Sequence, residues 1–250
     1  INGLPNQQVA IAFLLSPREN IVAITNTTIL NIQFKISLAM PSVVAVFFPA
    51  KKETSGLHFH LHAPFIPELS RASIKDTPAN RGLYALLAKL CGDSLPKIRG
   101  MGLLDASFLE VLPNMNDEIP PAYSNIRSEI INAFNTQKIT PTFNKTYDTA
   151  NSLLQAESDL KNLLTTKDLK RMIPNGLINK PNWVINTMRN SRADKFLSNL
   201  KLSTWKNDNF IEFLQTNENN TINWLKTKEG SIEWHKKFYA LLSLDNTQNK

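Results

Sequence analysis

The chain has 250 residues, 42% of them hydrophobic and 20% charged, a globular composition with room for one large domain or two modest ones and too apolar for a disordered chain. Only 8 glycines are present, which argues against glycine-rich phosphate loops and against a turn-dense all-β fold. The net charge of +7 is mild and spread along the chain, so it reads as a solvated basic face rather than the clustered charge of a nucleic-acid binder.

The first 65 residues read as strands. Val9 to Leu15 is a short apolar run suited to a buried strand. Ile21 to Thr25 and Thr28 to Ile36 are rich in β-branched residues, and Val43 to Phe48 is a further buried run bracketed by Pro41 and Pro49. Leu57 to Ala63 alternates strictly: Leu57, Phe59, Leu61 and Ala63 face one way, His58, His60 and His62 the other. Helices follow. Thr77-Pro78 is a start signal, a hydroxyl at the cap and proline at the first helical position, and Leu83, Leu86, Leu87 and Leu90 supply an apolar stripe. Pro96, Gly100 and Gly102 are expected to break or end this helix. Asp105 caps a second helix running through Phe108, Leu109 and Leu112. Pro120-Pro121 opens a third, with Tyr123, Ile126, Ile130 and Phe134 on one face. A short extended pair, Ile139 to Phe143 and then Tyr147, is joined by a polar turn at Asn144-Lys145. From about Ala150 the pattern reads as helical to the end, with Leu153, Leu154, Leu160, Leu163 and Leu164 opening it and Trp183, Trp205, Trp224 and Trp234 recurring among leucines and phenylalanines. Tryptophans at that spacing are core before they are base-stacking platforms. The expected class is therefore α+β, with a mixed α/β unit over residues 1–145 and an all-helical module over 146–250.

The longest apolar runs are far short of the ~20 residues that a membrane helix needs, so no membrane partner is expected. No basic-then-apolar leader is visible, and the sequence starts Ile1-Asn2-Gly3 without methionine, which reads as a segment of a longer protein. Cys91 is the single cysteine, so no intrachain disulfide is possible; this fits a reducing, cytoplasmic setting, and its place on the first helix stripe marks it as core.

Two groups of residues point to chemistry. His58, His60 and His62 share a strand face at roughly 6–7 Å spacing, close enough for a pair to share zinc, but no nearby Asp, Glu or Cys completes a ligand set. The alternative is a face packed on a helix or shaping a polar cleft, and no metal is assigned. Arg71 sits in a proline-bounded loop ahead of the Thr77 helix start. Its planar fork suits an anionic partner, Ser70 and Ser73 add hydroxyls, and Lys75 adds a second charge. The alternative is a surface arginine paired with Glu68 or Asp76. Asp117-Glu118, in a proline loop, reads as a solvated turn. Nucleophile-elbow, Walker and dinucleotide motifs do not occur.

The run VAVFFPAKKETSGLHFHLHAPFIPELSRASIKD resembles a segment of large bacterial ATP-binding proteins related to sacsin and, more remotely, to the heat-shock-90 chaperones. There a strand ends in proline, a loop with a Ser-Gly or Thr-Gly pair follows, and a second strand leads to a Ser/Asn-Arg loop. TPTFNKTYDTANSLL resembles a hairpin and helix that follow in the sacsin-like group, and PNWVINTMRNSRADKFLSNL and IEWHKKFYALL resemble its helical continuation. The resemblance implies the middle, or transducer, segment of a histidine-kinase-like (GHKL) ATPase. Such a segment has a ribosomal-protein-like β-α-β sheet packed by helices. An upstream nucleotide-binding domain of the same polypeptide holds ATP and Mg, and domain closure brings a basic residue to the γ-phosphate. Ser70-Arg71 matches the Ser-Arg loop, so Arg71 takes that catalytic role, supported by Ser70, Ser73 and Lys75, with His58, His60 and His62 shaping the cleft beside it. The family's D-x-G-x-G nucleotide loop does not occur, and Glu129-Ile130-Ile131-Asn132 has the wrong spacing for its E-x-x-x-N helix. The chain alone is therefore expected to bind no cofactor and turn over no ATP. Thr136-Gln137-Lys138 has the residues of a topoisomerase-type Gln-Thr-Lys loop in a different order and is read as coincidence. A protein client is the expected partner of the whole machine. The rivals are a nucleic-acid-binding module of a defence or restriction-type ATPase, a metal-dependent hydrolase built on the three histidines, and a plain protein-interaction domain.

Overall fold

The alternation at Leu57–Ala63 sets the centre of the fold. Leu57, Phe59, Leu61 and Ala63 are all buried, and the three intervening histidines are half-buried on the opposite face. The structure, a computed structural model, describes residues 8–19, 30–173, 180–216 and 218–248. The strands in chain order are β1 (Ala10–Ala12), β2 (Leu14–Pro17), β3 (Phe34–Ser37), β4 (Val44–Ala45), β5 (His60–His62), β6 (Thr140–Pro141), β7 (Tyr147–Asp148), β8 (Leu153–Gln155), β9 (Asn182–Trp183) and β10 (Ser203–Thr204). The helices are α1 (Leu30–Gln33), α2 (Pro78–Gly100), α3 (Ala106–Val111), α4 (Ser124–Thr136), α5 (Ser158–Leu163), α6 (Thr166–Met172), α7 (Arg192–Leu197), α8 (Asn207–Thr216), α9 (Glu218–Lys226) and α10 (Ile232–Gln248). The class is α+β, as the sequence pattern indicates. No helix among the described residues is long and apolar enough to cross a membrane.

The chain divides into two units, one of residues 1–141 with 187–201, the other of 142–186 with 202–250. The sequence reading divides the chain once, at 145/146. The return of 187–201 to the first unit has no counterpart in the sequence reading.

In the first unit β5 is the middle strand of a three-stranded sheet, antiparallel to β1 and parallel to β4. The segment joining β4 to β5 contains no helix, so the expected β-α-β unit is not the device that makes this pair parallel. Val9–Leu15, expected as one buried strand, serves two sheets: β1 pairs with β5, and β2 pairs with β3 from Leu14↔Ser37 to Pro17↔Phe34. Between them Phe13 turns inward onto Phe59 (centroids 5.0 Å) and Phe108 (5.4 Å), while Leu14 and Leu15 stay exposed. The Ile21–Thr25 strand expectation lies outside the described residues. The described part of the following run, from Leu30, begins with the single turn of α1, and Phe34–Ser37 is extended.

Helix α2 begins as the sequence dictates, with the Thr77 hydroxyl accepting from the Asn80 amide and Pro78 in the first turn. Leu83 and Leu87 are buried, but Leu86 is exposed, so the stripe is narrower than expected. The helix does not stop at Pro96 and runs on to Gly100. A mid-helix proline costs ~3 kcal/mol or more; burial of Cys91, Leu95 and Ile98 on either side of it keeps the turn helical. α2 packs against α4, whose Ile126, Ile130 and Phe134 are buried together with Tyr123 just before it, the face expected from the sequence. Asp105 caps α3, accepting from the Ser107 and Phe108 amides, and α3 packs on α7.

The second unit corrects the all-helical expectation in one respect. β8 is the centre of a parallel three-stranded sheet in the order β10-β8-β9. Leu153 and Leu154 are both buried although adjacent, as expected of a parallel strand covered on both faces. Helix α6 packs against β9, and the core joins Leu160, Leu163, Leu169, Trp183, Phe210 and Trp224. Three of the four indole N–H groups have these partners: Trp183 donates to the Leu164 carbonyl (2.8 Å), Trp224 to Asp168 Oδ1 (2.7 Å) and Trp234 to the Leu163 carbonyl (3.0 Å). Trp183 and Trp224 are core, as their spacing suggests, and the half-buried Trp205 and Trp234 pack against it.

Candidate functional site

Residues 66–75, in the segment between β5 and α2, form a loop held by hydrogen bonds rather than apolar packing. Pro67 and Ile74 form an antiparallel bridge, the Glu68 amide donates to the Ser73 carbonyl (2.9 Å), and the Lys75 amide donates to the Ile66 carbonyl (3.1 Å). At the tip the Arg71 amide donates to the Glu68 carbonyl (2.8 Å), closing a four-residue turn. Arg71 itself has φ +57, a left-handed conformation that costs a non-glycine residue of the order of 1–2 kcal/mol. Ser70 Oγ accepts from the Ala72 amide (3.3 Å) and so steadies the turn.

Three groups outside the loop pin it. The fully buried Asn80 side chain accepts from the Ile66 amide (2.9 Å) and donates to the Ile66 (2.9 Å) and Lys75 (2.6 Å) carbonyls, tying both legs to the first turn of α2. Glu53 Oε2 accepts from the Ile74 amide (3.0 Å), while the Lys52 amide donates to the Ala72 carbonyl (2.8 Å).

This frame holds the Arg71 side chain exposed, its guanidinium carbon 5.7 Å from the centre of the Phe48 ring. Neither carboxylate expected as an alternative partner takes it. Asp76 pairs with Arg81 (3.2 Å), and Glu68 contributes its backbone carbonyl, not its carboxylate. No ion pair of Arg71 exists among the described residues. Lys75 is exposed on the same loop and Ser73 half-buried. The structure thus presents a preorganised cation with an aromatic backing and no paired anion among the described residues.

The three histidines share one strand face but diverge in partners. His60 Nδ1 accepts from the Val43 amide (3.0 Å), which fixes the tautomer with the proton on Nε2. The His62 ring lies edge-on to the exposed Phe47 at 6.0 Å. His58 Nε2 is 4.0 Å from Asp117 Oδ1. Among the described residues no group of three His, Cys, Asp or Glu side chains is placed to hold a metal ion.

Asp117 is not the solvated turn its proline loop suggests. It is nearly buried and takes a two-pronged contact from Arg192 (2.6 and 2.8 Å) together with the Asn114 amide (2.9 Å). Arg192 also donates to the Glu110 (2.8 Å) and Leu112 (3.2 Å) carbonyls, satisfying the end of α3. Burial alone would raise the Asp117 carboxyl, but the hydrogen bonds from Arg192 and Asn114 and the Arg192 charge outweigh it and hold it below the usual carboxylate range. His58 moves the other way. Burial first and then the Arg192 charge lower it, against the pull of Asp117. Cys91 is buried and its thiol is pushed up to about 12, which suits core and not a nucleophile.

Gly56 explains the Ser-Gly pair. It has φ +67, and a Cβ there would lie 2.1 Å from the Glu118 carbonyl oxygen, so only glycine lets the 117–119 loop close over this turn. Glu110-Val111-Leu112-Pro113-Asn114 has the E-x-x-x-N spacing, but α3 ends at Val111, ahead of Pro113, so the two residues do not share a helix face.

Sequence reasoning placed Arg71, Ser70, Ser73 and Lys75 on one loop and the histidines on one face. It missed Glu53, Asn80 and Arg192. Asn80 left a signal, an asparagine three residues past a Thr-Pro cap; Glu53 and Arg192 left none. Comparisons with models of known protein families, with curated proteins and with solved structures find no match to this chain.

Proposed function

We propose that this chain is the transducer segment of a sacsin-like GHKL ATPase and that Arg71 is the residue it supplies to a nucleotide held elsewhere in the same polypeptide. The observation that carries this reading is the Arg71 loop. Its arginine is exposed, left-handed and free of any carboxylate among the described residues, on a turn pinned by Asn80 and Glu53. Ordering a strained turn to display an unpaired cation makes physical sense where an anion arrives from outside. A guanidinium fork aimed at the γ-phosphate oxygens stabilises charge during phosphoryl transfer, and delivery by closure gates the reaction. ATP arrives with its Mg ion, and this chain's share of the chemistry is the cation. The second unit relays closure to a protein client in the cytoplasm.

The test is ATP turnover by the protein at its native length, with and without Arg71→Ala. A fall of about a hundredfold with nucleotide binding retained is expected, the scale for one preorganised charge-stabilising donor.

A further inference from the structure

We propose that Glu53 is a positioning residue for Arg71, coupling the loop to the helical layer through Tyr123. The inference rests on the reading of Arg71 given above. Glu53 uses its two oxygens on two different elements: Oε2 accepts from the Ile74 amide on the returning leg of the loop (3.0 Å), and Oε1 accepts from the Tyr123 hydroxyl (2.9 Å) at the start of α4. Both neighbours are donors. A carboxylate, acceptor on both sides, satisfies them together, whereas a glutamine must turn its NH2 group toward one of them. The Tyr123 phenol is a firm anchor. Burial first, reinforced by Tyr84 and Glu53, raises it well above the ordinary phenol range, so it stays protonated and donating.

Tyr123 is itself fixed. It is buried, its ring meets Tyr84 of α2 edge-on at 5.0 Å, and Tyr84 lies 4.8 Å from Phe65, the residue just ahead of the loop. A path of contacts therefore runs from α2 and α4 through Tyr84, Tyr123 and Glu53 to Ile74, three residues past Arg71. Asn80 holds the two ends of the loop; the Glu53 carboxylate, next to the Lys52 amide on Ala72, holds its interior. Leu69 at the tip is fully exposed and contributes no apolar anchor, so these polar contacts set where the arginine points. Movement of α4 against α2 would reach Arg71 through this carboxylate.

The experiment uses the native-length protein with Glu53→Gln and Tyr123→Phe, each removing one arm of the contact. Trypsin cleavage at Arg71–Ala72 reports loop release, and cleavage at Arg81–Gly82 within α2 reports general loosening. The expected result is cleavage about tenfold faster at Arg71–Ala72 and unchanged at Arg81–Gly82, the effect of one charge-assisted hydrogen bond lost. ATP turnover should fall about tenfold in Glu53→Gln and show no further fall when Glu53→Gln is added to Arg71→Ala. Equal acceleration at both bonds, or none at Arg71–Ala72, overturns the proposal. So does a turnover that Arg71→Ala lowers and Glu53→Gln does not. If Arg71→Ala leaves turnover unchanged, the reading of Arg71 fails, and the cleavage pattern alone decides whether Glu53 holds the loop.

Discussion

Replacing Asn80 with alanine removes three hydrogen bonds at one stroke: Ile66 loses its acceptor and a donor, and Lys75 loses the donor to its carbonyl. The side chain is fully buried, so nothing on the protein side takes its place. At about 1 kcal/mol net for each bond the loss is about 3 kcal/mol. Asn80→Asp should be at least as damaging. It keeps an acceptor for the Ile66 amide but turns a negative charge onto two carbonyl oxygens in a buried position. Equilibrium urea unfolding measures the total, and hydrogen exchange at the Ile66 amide measures the local part. A loss below about 1 kcal/mol with the Ile66 amide still protected would refute the claim that Asn80 pins the loop.

The remaining predictions concern the same unit. Asp117→Ala leaves the half-buried Arg192 without its counter-charge and should cost about 2 kcal/mol by urea unfolding, whereas Arg192→Lys, which cannot span the two-pronged contact and the α3 carbonyls together, should cost about half as much. Gly56→Ala forces a Cβ against the Glu118 carbonyl at a left-handed position and should cost more than about 2 kcal/mol; a neutral outcome in thermal unfolding would mean that the 117–119 loop does not sit on Gly56. His58 is lowered from its ordinary 6.5, so its neutral form favours the fold. That contribution is full above 6.5 and is lost as pH falls through the lowered folded value, and His58→Gln should flatten the stability profile in this window.

Local chemistry was readable along the chain and distant pairing was not. The Leu57–Ala63 alternation, the Thr77-Pro78 cap and the Asp105 cap each depend on neighbours within a few residues, and each stands in the structure as the pattern predicts. The Arg71 loop was readable as a proline-bounded loop, but its left-handed tip was not, because no glycine or asparagine marks it. Glu53 meets Tyr123 across 70 residues and Arg192 meets Asp117 across 75, and such pairs leave no period to detect. The parallel sheet of the second unit escaped for another reason. β9 and β10 are two residues long, shorter than any window in which alternation registers, and the three-residue β8 opens on a leucine pair that a helical reading absorbs. Pro96 was misread as a stop because propensity was weighed without the packing of α2 on α4.

The central claim is that Arg71 is displayed for a phosphate brought from outside this chain. The most direct measurement is steady-state ATP turnover, with nucleotide affinity measured alongside, in the native-length protein and its Arg71→Ala variant. The account predicts turnover reduced about a hundredfold at unchanged affinity. Equal turnover in the two proteins would contradict it.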